Sequence, residues 1–246
     1  MAPDRIRFVR NALVGASLLL VASLASGQTF LGPTPYLSQA DSPFAASITA
    51  GTTFLETFEG GALTTPGVTP STGSVVPPGG ITDSVDGDDG SIDGSGTGGH
   101  SFFSADGPTG ITFTFDAGVL GHLPTQVGIV WTDGAGTTTF EAFGPGGASL
   151  GQIGPVAIAD GSISGTTAED RFFGVINPAG ISAIHISNTG GGIEVDHLQY
   201  GVFSAAPPPP PPTTTIPVPT MSEGALALLA LVAAAFGFVV LGRRRA

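Results

Sequence analysis

The densest group of side chains that could do chemistry lies between Thr82 and Gly99. Here Asp83, Asp86, Asp88, Asp89 and Asp93 stand among Gly and Ser. Carboxylates on a Gly-rich segment suit a hard cation such as Ca²⁺, which takes oxygen ligands only. The spacing is not that of an EF-hand. Aligning Gly90 with the invariant glycine puts Val85 and Gly87 on the first and third ligand positions and Gly96 on the twelfth. Two readings stay open: a calcium loop of another kind, with Asp86, Asp88, Asp89 and Asp93 as ligands, or a solvated acidic loop. Other chemistry-like patterns fail on their surroundings. Gly147-Ala148-Ser149-Leu150-Gly151 has the form G-x-S-x-G, but β-patterned sequence follows it where a helix is needed. Gly94 to Gly99 satisfies G-x-G-x-x-G without a βαβ unit, and the nearby Asp would repel a pyrophosphate. His100, His122, His185 and His197 fall in four separate segments with no zinc spacing. No catalytic residue is expected from these motifs.

The charge balance narrows the classes further. Arg5, Arg7 and Arg10 lie at one end and Arg243, Arg244 and Arg245 at the other, leaving Arg171 as the one basic side chain between them. Seventeen acidic residues share that body, and the chain has no Lys. Nucleic acid is excluded as a partner, because nothing is available to displace its counterions. There is no Cys, so no disulfide supports the fold.

The elements that must position these residues read as strands. Between Gly51 and Ser204, period-two runs are broken by Gly, Asp, Pro and Asn. Thr52 to Phe58 is the expected first strand. Ile111, Phe113 and Phe115 alternate with Thr112 and Thr114. Val127, Ile129 and Trp131 alternate in the next run, which ends at Asp133-Gly134, a hairpin signal, so that Thr137 to Phe143 pairs back. Val156 to Ala159, Arg171 to Ile176 and Ile181 to Ser187 follow. Asn188 to Gly192 reads as a turn into a last strand, Ile193 to Phe203. Trp131 is in phase with the core, and His185 with the solvent face. The spacing argues for an all-β sandwich or jelly roll and against a repeat solenoid.

The two ends are addresses. Met1 to Gly27 has a basic start, an apolar stretch from Ala12 to Leu24 and a small-residue cleavage site ending at Gly27, the pattern of a secretory signal peptide. Residues 28–50 form an N-terminal segment and 205–217 a Pro/Thr-rich linker with an unbroken run from Pro207 to Pro212. Residues 224–242 are apolar and uncharged, which predicts one transmembrane helix with the arginines on the cytoplasmic side. The segment Val218-Pro219-Thr220-Met221-Ser222-Glu223, followed by the apolar helix and the Arg243–Arg245 cluster, resembles exosortase-type sorting signals. It is most similar to the IPTL-CTERM variant of the PEP-CTERM class, whose motif reads IPTLSEWG. Pro219, Thr220, Ser222 and Glu223 match; Gly224 follows where the family has Trp. The resemblance implies an exosortase-type membrane peptidase as partner, cleavage near Pro219-Thr220, and transfer through the inner membrane to the cell surface or an exopolysaccharide matrix.

A second resemblance concerns the body. Glu56-Thr57-Phe58-Glu59-Gly60 and Glu194-Val195-Asp196-His197 resemble the opening and closing strands of lectin-like and carbohydrate-binding jelly rolls. In such folds the first and last strands lie side by side, which implies that Glu59 and Asp196 meet and hold Ca²⁺, the alternative being two solvated carboxylates. The last strand also resembles the E-x-D-x-x-E strand of one lectin-fold glycoside hydrolase family, but its general-acid position is Gln199, which cannot donate that proton. The expectation is a single jelly-roll/β-sandwich ectodomain over 51–204 that is exported, non-catalytic, and structural or sugar-binding. The rival expectation is an envelope-anchored glycan hydrolase, which needs two carboxylates about 5–10 Å apart across a cleft.

Overall fold

A computed structural model describes residues 27–86, 98–163, 169–202 and 223–243. The chain divides into two compact units, Met1–Ser204 and Ala205–Ala246. The first is mostly β-sheet. Its strands are β1 (Thr29–Pro35), β2 (Thr53–Glu56), β3 (Val68–Pro70), β4 (Ser74–Val76), β5 (Ser101–Ser104), β6 (Ile111–Phe115), β7 (Gln126–Phe143), β8 (Ser149–Val156), β9 (Arg171–Ile176) and β10 (Ala183–Gly201). Two short helices, α1 (Ala45–Thr49) and α2 (Ala117–Leu120), join them.

The architecture rests on β7 and β10, an antiparallel pair of 18 and 19 residues. One end of the pair (Gln126–Trp131 against Val195–Gly201) is flanked by β9 and then β1 on the β7 side and by β2 on the β10 side. The other end (Thr138–Phe143 against Ala183–Asn188) is flanked by β8 and by β6, with β3 beyond. Between them β5 pairs with Ile193–Val195 and carries β4. The sheet has free edges and does not close into a barrel.

Alternation sets the faces. Ile111, Phe113 and Phe115 of β6 are buried, whereas Thr112 and Thr114 are not. Val127, Ile129 and Trp131 from one end of β7 enter the same apolar cluster as Phe140 and Ala142 from the other. A single core therefore receives side chains from both ends of the long pair. Val130, on the opposite face of β7, packs with Tyr36, Phe44, Val85 and Phe172 in a second cluster. Both faces of this end are thus covered, and Trp131 is fully buried, donating its Nε1–H to Asn188 at 3.0 Å.

Three expectations change. The sheet begins at β1, within residues 28–50, ahead of the expected first strand. Asp133-Gly134 is no hairpin turn, and Asn188 to Gly192 is no turn either; both lie inside continuous strands. The Gly and Asp signals mark a bend with register shifts, where an extra residue is absorbed without reversing the chain. Gly134 is required there by close approach, since a Cβ would collide with the Asn188 amide. Gly136 is required by its left-handed φ of 83°.

In the second unit, α3 runs Glu223–Arg243. Among the described residues no helix is long and apolar enough to cross a membrane.

Candidate functional site

The bend brings two carboxylates together. Asp133 of β7 and Glu194 of β10 are direct cross-strand partners, with Cβ atoms ~5 Å apart by sheet geometry. Both line a cavity of ≈ 180 Å³ whose walls include Ile81, Phe103, Ile163 and the glycines of the bend. A neighbouring cavity of ≈ 350 Å³ shares Glu194, Ile81 and Phe103. Glu194 Oε1 accepts from the Asp83 amide at 3.0 Å and from the Ser101 hydroxyl. Burial is the main reason that its pKa is pushed up to about 8; hydrogen bonds oppose the shift, and Asp133 and Asp83 add to it. Asp133 is 7% exposed, and its Oδ1 has no hydrogen-bond partner. Burial, reinforced by Asp160, raises it to about 6 despite a bond from the Gly134 amide. Glu169 lies at the same acidic end. One of its oxygens accepts from the Asp160 amide, Oε2 has no partner, and burial with the Asp160 and Asp133 charges lifts it to about 8.

The residues expected from sequence are dispersed. Glu59 accepts from the His100 amide at 2.5 Å, with the His100 ring 3.3 Å away. Asp196 is fully buried instead. It accepts from the Ser84 hydroxyl (3.1 Å), the Val85 amide (3.0 Å) and the His197 amide (2.6 Å), and burial drives its pKa well up despite these bonds. The two carboxylates have separate hydrogen-bond partners. Asp86 instead comes within 3.3 Å of His197 Nε2, a contact too poorly aligned for a hydrogen bond. His197 sits at a register shift with φ of 43°, a left-handed backbone uncommon outside glycine. Its Nδ1 meets the Tyr36 hydroxyl at 3.0 Å, which also accepts from Gln199 at 3.0 Å. Tyr36, His197 and Gln199 are buried, so this chain of hydrogen bonds fastens β1 to β10. His185 is half-buried, with Nε2 3.0 Å from the Thr109 carbonyl.

Asp88, Asp89 and Asp93 lie outside the described residues, as do Pro219, Thr220, Ser222, Arg244 and Arg245. Glu223 opens α3 and Arg243 closes it. Gly27 is the first described residue and is exposed. Among the described residues no three His, Cys, Asp or Glu gather in a way that could hold a metal ion.

A further cavity, of ≈ 500 Å³, lies beside the end of β10, lined by Phe54, Tyr200, His122 and Leu120 among others. Phe54 is 42% exposed and packs tilted on Tyr200, with centroids 5.3 Å apart.

Fold and sites together define a mostly-β domain with a buried acidic bend, carried on a chain that ends in a separate helix. Residues 216–245 match the IPTL-CTERM motif, so the chain carries a sorting signal of the PEP-CTERM/IPTL-CTERM class. That signal implies export, a membrane-anchored precursor and processing by an exosortase-type membrane enzyme. No curated protein matches the chain. Solved structures that match include the catalytic domain of a GH87 alpha-1,3-glucanase in complex with tetrasaccharides, at 14% identity and TM-score 0.38. The match covers 70% of this chain and 31% of that one. The same catalytic domain in complex with nigerose matches at 16% identity and TM-score 0.36, over 70% and 32% of the two chains. The chain thus spans about a third of the length of these structures, and likeness at this level bears on neither fold nor activity.

Proposed function

We propose that this is an exported, non-catalytic surface or matrix protein whose β domain is a structural or sugar-binding module. The carrying observation is the IPTL-CTERM motif at residues 216–245. In this reading residues 1–27 are a signal peptide cleaved after Gly27, and residues 224–242 hold the precursor in the inner membrane with Arg243–Arg245 in the cytoplasm. An exosortase-type peptidase then cuts near Pro219-Thr220 and passes the domain, arranged as a jelly-roll-like sandwich, to the surface or an exopolysaccharide matrix. The exposed Phe54 ring supports the sugar-binding version, because a flat aromatic face beside polar groups is what a pyranose stacks on. Mass spectrometry of the protein from cells tests the scheme: a mature form beginning at Gln28 and ending near Pro219 is expected, and one running from Met1 to Ala246 would sink it.

A second reading, an envelope-anchored glycan hydrolase, is supported by the paired carboxylates of Asp133 and Glu194 beside a cavity. Release of reducing sugar from bacterial exopolysaccharides, lost in Glu194→Gln, would establish it; no release from any polysaccharide tried would remove it.

A further inference from the structure

Asp133 is 7% exposed and lines this cavity, and its Oδ1, itself out of reach of solvent, has no hydrogen-bond partner. Directly opposite it, Glu194 brings a second carboxylate to the same cavity. An ionised carboxylate in such surroundings is costly unless a positive charge meets it. Among the described residues of this unit none does: Arg171 is its one basic side chain, and its guanidinium donates to the Asp170 carbonyl. We propose that the bend between β7 and β10 is a Ca²⁺ site, with Asp133 and Glu194 as its carboxylate ligands and main-chain carbonyls and water completing the shell.

The chemistry of the donors selects the ion. No cluster of three His, Cys, Asp or Glu is present among the described residues, so an ion that relies on three or four protein side chains, such as Zn²⁺, is not matched. Ca²⁺ accepts carboxylate, carbonyl and water oxygens in flexible geometry. At about 30 Å³ per water, ≈ 180 Å³ holds an ion with several of them. Mg²⁺ would have to shed its tightly held waters to reach both carboxylates, which it does reluctantly. The site goes beyond the sorting reading and does not depend on it.

The full chain, purified in detergent and stripped with EDTA, is melted with and without Ca²⁺. Saturating Ca²⁺ is expected to raise Tm by about 5–10 °C, with Mg²⁺ far weaker. Trp131 stands two residues before Asp133, and its ring lies against Gly134. Tb³⁺ added in place of Ca²⁺ should therefore luminesce on excitation of this single Trp. Asp133→Asn and Glu194→Gln should each abolish both signals, and Glu59→Gln should leave both intact. No Tm shift at millimolar Ca²⁺ overturns the proposal. So does a shift that survives in the Asp133→Asn, Glu194→Gln double variant. If that variant does not fold, the wild-type signal decides, because Ca²⁺ stabilisation without Trp-sensitised Tb³⁺ emission puts the ion elsewhere.

Discussion

Glu56 and Asp133 are both buried carboxylates on strands of one sheet, at 4% and 7% exposure, yet they are treated in opposite ways. Around Glu56 the chain supplies donors: the amides of Phe58 (3.1 Å), Thr64 (2.6 Å) and Thr65 (2.8 Å) and the Thr64 hydroxyl (3.1 Å). Burial pushes its pKa up, but these bonds outweigh burial and leave it below the ordinary Glu value. Asp133 has an oxygen with nothing to accept from, Glu169 has another, and both titrate high. Glu56 is therefore a staple that ties the loop after β2 back to the strand. The acids at the bend are held by fewer donors, and burial dominates their titration.

The largest effect should come from removing the staple. Glu56→Ala leaves three amides and a hydroxyl without their acceptor, of which the more exposed recover water. A loss of about 2–4 kcal/mol is expected, read by urea unfolding. A loss under ~1 kcal/mol would mean the staple is ornamental and would erase the contrast with the bend.

Acidity should separate the two regions next. Glu56 has a depressed folded pKa, so its contribution is present above the unfolded value near 4.5 and disappears as pH falls through the folded value. Glu169 has a raised folded pKa of about 8, so its contribution is full below about 4.5 and is lost as pH climbs to 8. In EDTA, Tm should therefore be highest near pH 5 and lower at pH 8, and Glu169→Gln should flatten the alkaline side alone. A Tm that rises steadily from pH 5 to 8 would contradict this.

A smaller change, of opposite sign to the first, is expected at Asp133. In EDTA at pH 8, Asp133→Asn removes the demand for a buried charge and should stabilise the domain by about 1 kcal/mol. Destabilisation of similar size would show that Asp133 serves the fold as Glu56 does.

Much of this was legible in the sequence, though unevenly. β6 and β9 fall on the runs predicted for them, because a strand buried on one or both faces leaves a regular apolar pattern. The bend was misread because Asp133-Gly134 and Asn188 to Gly192 have turn chemistry, and local sequence cannot distinguish a chain that reverses from one that bulges between two halves of a sheet. That error also hid the site, since two turns would never place Asp133 opposite Glu194. Ile193 and Val195 alternate with Glu194, the pattern of a strand buried on one face, so the local pattern held no sign that Glu194 is buried as well. β1 escaped notice because Pro33 and Pro35 break its alternation, as an edge strand tolerates. The sorting motif was readable, because a linear signal needs no partner distant in sequence.

Asp196 offers the finest test, since it stands between the two cases: fully buried, like Glu56 in being held by several donors, and like Asp133 in titrating high. Ser84→Ala removes one donor and leaves the Val85 and His197 amides in place. If the network is a staple, one neutral hydrogen bond is lost, at about 0.5–1.5 kcal/mol, with the fold and its pH profile otherwise unchanged. If Asp196 behaved like the bend acids, losing a donor would change stability little and would extend the fall of Tm with pH further to the alkaline side. Melting curves of Ser84→Ala at pH 5 and pH 8 separate these outcomes, and the first is expected. Two main-chain amides already fix the carboxylate on β10, where the left-handed turn at His197 points its own N–H back at the side chain before it.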